Sequence, residues 1–333
     1  MTASSSGDWQ PSATLEVLKL RAQMLQSIRA FFSQRDVLEV ETPILSAAAT
    51  TDPALASFTT RYTGPLFAQG KTFYLHTSPE FPMKRLLAAG VGSIYQICKV
   101  FRDGESGRLH NPEFTMLEWY RVDFDHYRLM NEIEELIMQV LSPHMPLQAA
   151  ERFSYREVFQ RYIELDPHTA SIQDFAAAAK THGINISQNL RAQNDVCAWR
   201  DLLLTHLIEP KLGQGRLTFI HDYPAAQASL ARLQPGDPPL AARFELYLNG
   251  IELANGFHEL ADAHEQRTRF ERQAQTRHTL ALPAMPVDER LLAALEKSLP
   301  NCAGVALGLD RLVMLAASKR SLAEVIAFAI DRA

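Results

Sequence analysis

Glu245 and Glu252 stand on either side of Asn249-Gly250, inside two largely apolar runs, 243–248 and 251–258. Asn-Gly between such runs is a strong hairpin signal, because both residues tolerate positive φ. A two-residue turn opposes Leu248 to Ile251 and Tyr247 to Glu252, with Glu245 on the face of Tyr247, diagonal to Glu252. Diagonal partners lie about 7–8 Å apart, within reach of a shared cation. Hard carboxylate oxygens suit Mg²⁺ held partly by substrate phosphates. Two solvated carboxylates on an exposed strand face would leave the same pattern.

Two further stretches concentrate groups suited to phosphate. Phe101-Arg102 through Arg108-Leu109-His110-Asn111-Pro112-Glu113-Phe114 places cations and an aromatic in a loop between two strands. A guanidinium fork grips phosphate bidentately, and an aromatic at the base of such a loop can stack on a nucleobase. An ordinary charged hairpin loop with Phe114 in the core would read alike. Gly304-Val305-Ala306-Leu307-Gly308-Leu309-Asp310-Arg311 is a small-residue strand entering a helix. Gly308 lets a ligand approach the backbone, and Arg311 falls in the first helical turn, where free N–H groups favour phosphate. The bland alternative is a tight packing junction with Asp310 and Arg311 as a surface pair. Other chemistries fail: there is no G-x-x-x-x-G-K-[ST] loop, Gly104–Arg108 misses G-x-S-x-G at its last position, and His258–Asp262 lacks the second His of H-E-x-x-H.

The elements that must hold these groups are legible from periodicity. Residues 14–35 read as an amphipathic helix with Ser12 and Thr14 as N-cap candidates, followed by a short strand 37–41 closed by Thr42-Pro43. Strands are predicted at 72–78, 94–102 and 114–122, helices at 126–141, 171–180, 288–297, 309–317 and 321–330, and the stretch 181–240 mixes helix and loop. Neighbouring antiparallel strands between groups of helices predict an α+β fold, a mainly antiparallel sheet flanked by helices. Residues 1–13 read as a disordered N-terminus and 14–333 as one catalytic domain.

Composition narrows the function classes. The 333 residues are 47% hydrophobic, enough for a sizeable core. A net charge of -5 with interspersed signs argues against a general nucleic-acid binder. Cys98, Cys197 and Cys302 are isolated, which suits unpaired thiols in a reducing compartment. No apolar run reaches membrane-spanning length, and the first residues lack the pattern of a signal peptide. A cytoplasmic location is expected.

Taken in order, the pieces resemble the three signature motifs of class II aminoacyl-tRNA synthetases. The first helix with Val37-Leu38-Glu39-Val40-Glu41-Thr42-Pro43 is similar to motif 1, Phe101 to Phe114 to motif 2, and Gly304 to Arg311 to motif 3. Within the class the likeness is to the lysine enzymes, through Thr77-Ser78-Pro79-Glu80, His110-Asn111-Pro112-Glu113-Phe114-Thr115 and Asn255-Gly256-Phe257-His258-Glu259. It is closest to their paralogues that attach (R)-β-lysine to elongation factor P. The first motif starts almost at once, leaving no anticodon-binding domain before it. Ala306 stands where lysyl-tRNA synthetases usually have glycine.

The resemblance implies a class II synthetase catalytic fold and an ATP-dependent ligase. The enzyme would activate (R)-β-lysine, or lysine, as an aminoacyl-adenylate and pass it to the ε-amine of a lysine on elongation factor P. ATP is implied as substrate, Mg²⁺ as cofactor, a homodimer as assembly, and tRNA is not expected as acceptor. Arg102 would hold the α-phosphate and Arg311 the γ-phosphate, with Asp103, Gly104, Glu105, His110, Leu253 and Gly308 around the nucleotide. Phe114 would stack on adenine and Asn111 would contact its edge. Gly104 occupies a position where motif 2 usually carries Glu, so either Glu105 or the backbone takes that contact. Glu245 and Glu252 would hold the metal. Glu80, Tyr120 and Glu259 would bind the substrate amines, with Ser78, Pro79, Glu118, Asn255 and Ala306 around them. Regular alternation puts Glu252 and Glu259 on opposite faces of one strand, so an irregularity is expected between them, with Asn255-Gly256 as its natural place. A truncated lysyl-tRNA synthetase and a non-catalytic regulatory paralogue are the alternatives. Retention of Arg102, Arg311 and both hairpin carboxylates speaks against a regulator.

Overall fold

The computed structural model describes residues 9–192 and 195–333. Thr14, not Ser12, caps the first helix: its hydroxyl accepts from the Val17 N–H at the start of α1 (Leu15–Ser33). The chain continues through β1 (Leu38–Glu39), β2 (Leu45–Ser46), β3 (Thr59–Tyr62), β4 (Lys71–Leu75), α2 (Glu80–Ala88), β5 (Ile94–Phe101) and β6 (Glu113–Val122). Then come α3 (His126–Leu141), β7 (Gln148–Ser154), α4 (Tyr155–Ile163), α5 (Ile172–Thr181), α6 (Gln188–Ala192) and α7 (Val196–Leu203). The last part holds β8 (Arg216–Pro224), β9 (Leu233–Gln234), β10 (Leu240–Leu248), β11 (Ile251–His258), α8 (Ala263–Thr279), α9 (Glu289–Ser298), β12 (Cys302–Gly308) and α10 (Leu309–Ala316).

One large sheet runs β1-β5-β6-β12-β11-β10-β8-β7, with β9 on β10, and a small sheet runs β2-β4-β3. Only the two outer pairs of the long order, β1 with β5 and β7 with β8, are parallel. The fold is thus α+β with a mainly antiparallel sheet. One face of the large sheet carries Leu117, Trp119, Val305, Leu307, Phe244, Leu246 and Phe219 into a core with α1, α3 and α10. Ile28, Phe31 and Phe32 of α1 are fully buried there, and each such side chain contributes on the order of 1.5–3 kcal/mol over an exposed position. Period-2 alternation then turns Glu118, Tyr120, Gly304, Ala306, Asn255 and Phe257 to the opposite face, because Glu118 pairs with Ala306, Ala306 with Asn255, and Gly304 with both Tyr120 and Phe257.

The hairpin forms in the expected register, Tyr247 opposite Glu252 and Leu248 opposite Ile251. Asn249 and Gly250 both have positive φ, 51° and 72°, as a type I′ turn requires. The strand irregularity is real, but it sits earlier than expected. Glu252 pairs with Tyr247 and Ala254 with Leu246, so Leu253 is the extra residue and Asn255-Gly256 pair regularly. Leu253 and Ala254 both enter the core, where two adjacent apolar side chains gain more by burial than a regular ladder would.

Other expectations need correction. Residues 321–330 do not form a helix: a 3₁₀ turn at Leu322–Glu324 is followed by irregular chain. Their helix-like spacing arises because Leu322, Val325, Ile326 and Ala329 are all buried, though not on one helical stripe. Of the N-terminal segment read as disordered, residues 1–8 lie outside the described residues; Ser12 donates its N–H to Ala327 O and Ala13 is buried. Helices α2, α4 and α8 and strands β2, β3 and β7 had no counterpart in the periodicity, and the stretch 181–240, read as helix and loop, also holds strands β8 and β9; β8 is buried along most of its length and so lacks the apolar–polar alternation of a half-exposed strand. Asp310 is not half of a surface pair. It is buried, accepts from Arg21 Nη1 at 2.5 Å and from the Thr115 N–H at 2.7 Å, and so ties motif 1, motif 2 and motif 3 elements together.

Candidate active site

A cavity of about 830 Å³ opens on the polar face of the large sheet. Arg102, Phe114, His110 and Arg311 line one region of its wall, and Ser78, Glu80 and Ala306 line another. Arg102 directly follows β5 and is positioned by its N–H, which donates to Pro112 O at 2.9 Å across the motif 2 loop. Its guanidinium lies over the Phe114 ring, 5.1 Å from the centroid, and 3.5 Å from a Glu105 oxygen. Arg102 Nε is buried with no hydrogen-bond partner among the described residues. A buried donor left unpaired costs about 1–3 kcal/mol, so a ligand oxygen there would be favourable.

Arg311 stands one turn into α10 and is gripped from two sides. Nη1 donates to Glu252 O at 2.7 Å, and Nη2 donates to His110 Nε2 at 2.9 Å. Arginine has no acceptor, so His110 Nε2 must be unprotonated. Desolvation, and then the Arg311 charge, hold the His110 imidazole below its ordinary pKa, which keeps it neutral and accepting. Asn111 reaches the cavity wall, but its side chain is occupied: Nδ2 donates to Glu113 O and Oδ1 accepts from the Ile330 N–H. These bonds fasten the loop to the C-terminal segment and fix the orientation of the amide, which keeps a second N–H and a second oxygen lone pair on the cavity wall. Asp103 and Gly104 are exposed and off the cavity wall, while Glu105 lines it. Gly104 turns at φ 82°, a left-handed conformation that Glu would adopt only under strain.

The carboxylates meant for amines lie deeper than the cavity surface. Glu118, Tyr120 and Glu259 are at most 2% exposed, behind the wall formed by Ser78, Glu80 and Ala306. Ser78 Oγ donates to Glu118 Oε2 at 2.9 Å and Tyr120 OH donates to Glu118 Oε1 at 2.6 Å. Gly304 makes this possible, since a Cβ there would overlap the Tyr120 ring and press on Glu259. Between Glu80 and Glu259 sits a residue absent from the sequence reading. The Lys84 ammonium is 2.6 Å from Glu80 Oε1 and 2.6 Å from Glu259 Oε2. Burial opposes its charge, but Glu259 and Glu80 outweigh that and raise its pKa above the usual value. Burial, then Glu80, pushes the Glu118 carboxyl up to about 8. Burial pushes the Glu259 carboxyl up to about 7 against the pull of Lys84. Pro79 caps α2 and turns Glu80 into its first turn. The one available signal for Lys84 was its spacing, four residues after Glu80 on one helix face.

The bulge at Leu253 puts Glu252 on the same side as Asn255 and Phe257. Glu252 lines the cavity, with its Oε2 3.6 Å from Arg311 Nη1. Glu245 does not line it. Its oxygens accept from Tyr223 OH at 2.6 Å, Tyr247 OH at 2.5 Å, and Arg243. Burial, then the Glu245 charge, raises the Glu252 pKa. Of the two carboxylates expected to share a cation, only Glu252 turns to the cavity, where it could hold a divalent ion; Glu245 is taken up by Arg243 and two tyrosine hydroxyls.

An antiparallel sheet, arginines from motif 2 and motif 3 on one cavity, and a carboxylate hairpin beside them define the catalytic arrangement of a class II synthetase. The family model for class II tRNA synthetases (D, K and N) matches residues 7–332, and the chain belongs to that family. Among curated relatives it is 53% identical over 331 residues to the elongation factor P–(R)-beta-lysine ligase of Klebsiella pneumoniae subsp. pneumoniae, a span of 99% of this chain and 100% of that one. It is 52% identical, with the same coverage, to the protein of that name from Salmonella paratyphi B.

Proposed function

We propose that this chain activates (R)-β-lysine, or lysine, with ATP and transfers it to the ε-amine of a lysine on elongation factor P. The observation that carries the reading is the joining on one cavity of Arg102 and Arg311 with Glu80, the outermost of a buried carboxylate cluster, in a chain similar along its whole length to ligases of that name. In the first step a carboxylate oxygen of the amino acid attacks the α-phosphorus, the bond to the β-phosphate oxygen breaks, and pyrophosphate leaves. The nucleophile is already an anion, so alignment and charge neutralisation by Arg102 and Arg311 are what the protein must supply. Glu252 would hold Mg²⁺, which would supply positive charge beside the phosphates. In the second step the acceptor amine attacks the acyl carbon, AMP leaves, and the amine gives up its proton.

The exposed Leu38, Ile44 and Leu45 beside motif 1 support a homodimer through that segment. Pyrophosphate exchange with lysine and (R)-β-lysine tests the first step. Mass spectrometry of elongation factor P and charging of lysine tRNA identify the acceptor. Labelled tRNA beside unmodified elongation factor P would replace this reading with that of a tRNA-charging enzyme, and no exchange with either amino acid would point to a regulator.

A further inference from the structure

Three buried or nearly buried carboxylates, Glu80, Glu118 and Glu259, face one another with a single protein ammonium, Lys84, among them. Like charges at this depth are costly unless cations match them. With all three ionised, as they must be to pair with ammonium groups, Lys84 cancels one and leaves two. A ligand with two ammonium groups would complete the neutralisation; a ligand with one would leave a buried charge unmatched.

We propose that Lys84 is a positioning and specificity-determining residue, a built-in ammonium that locks Glu80 to Glu259 and leaves the pocket short of two positive charges. The proposal rests on the reading of this cavity as an amino-acid site and explains how that site counts amines. The Lys84 ammonium is held between Glu80 and Glu259, so its charge is spent on the protein and not on a substrate in the cavity. It acts through the two carboxylates it holds 2.6 Å away on either side. Arg232 donates its Nε to the Glu259 backbone carbonyl at 3.1 Å and its charge acts on the Glu259 carboxyl more weakly than that of Lys84, so it does not take the place of Lys84.

The test is a double-mutant cycle read by pyrophosphate exchange, with folding of each variant checked by the thermal shift that ATP induces. Lys84→Met alone should raise the KM for lysine and (R)-β-lysine about tenfold, the scale of one charge-assisted contact, and leave the ATP KM unchanged. Glu259→Gln alone should raise the same KM, because one carboxylate fewer leaves Lys84 competing with the substrate's ammonium groups. In that background Lys84→Met should have the opposite sign and lower the diamino-acid KM several-fold, since two carboxylates and no internal cation again match two amines. This second comparison holds the net charge of the cluster at its wild-type value and so does not depend on the single Lys84 variant folding. A double variant no tighter than Glu259→Gln would overturn the role of Lys84, because a merely structural lysine gives losses that add. Wild-type protein without exchange on any diamino acid would instead overturn the reading of the site, and this inference with it.

Discussion

Arg102 and Arg311 reach one cavity from positions more than 200 residues apart, and their geometry sets what each can do. Arg311 already serves the Glu252 carbonyl and His110, whereas Arg102 keeps Nε buried and unpaired among the described residues. Arg102→Ala should therefore lower pyrophosphate exchange by about 10²-fold or more, the usual scale for losing a preorganised charge at a reacting phosphate. The thermal midpoint should move by only a few degrees; retained exchange would show that Arg102 does not grip the nucleotide. A second expectation concerns pH. Glu259, raised to about 7, and Glu118, raised to about 8, must be ionised to pair with ammonium groups. The amino-acid KM should fall as pH rises from 6 to 8, while the ATP KM stays level. Protonated carboxyls dominate at the low end, so the sign is fixed, and a flat or rising profile would remove these two groups from substrate recognition.

Among elements, the clamp of Arg21 on Asp310 and Thr115 joins α1, α10 and β6. Arg21→Met should cost about 3 kcal/mol by chemical denaturation, because Asp310 would keep a buried charge with one N–H for company. Asp310→Asn in the same chain should recover most of it, and simple additivity would show that the ion pair is not what matters. Which elements could be read from residues follows the same physics. The 243–258 hairpin was legible because Asn-Gly and strand alternation agree. Helix α8 was not, because its 17 residues carry one large buried apolar group, Phe270, and dock instead through Gln266 and Arg277, whose guanidinium donates to Asp52 O, Leu55 O and Pro283 O. Helix α2 hid behind Pro82, which its first turn tolerates since no N–H there needs a partner. Residues with a local motif, such as Ser78, Glu80 and Arg102, could be read from the sequence and lie on the cavity wall. Lys84 and Arg21 were missed because their meaning comes from partners distant in sequence, Glu259 and Asp310.

For the molecule as a whole, the proposed dimer makes sedimentation at about twice the 37.4 kDa of one chain the expected result. Leu38→Asp with Leu45→Asp should shift the protein to monomer, and an unchanged monomer in both forms would remove that surface from assembly. The motif 2 loop depends on the last residues of the chain. Arg108 Nη1 donates to Arg320 O, the Leu322 N–H donates to Arg108 O, and Asn111 Oδ1 accepts from Ile330. A polypeptide ending at residue 320 would still contain both arginines and every carboxylate discussed above, yet its loop would have lost the anchors at Leu322 and Ile330. Such a product should retain most of its helix and sheet by circular dichroism but lose ATP-induced thermal protection. During synthesis, competence to hold nucleotide would therefore arrive only with the final dozen residues.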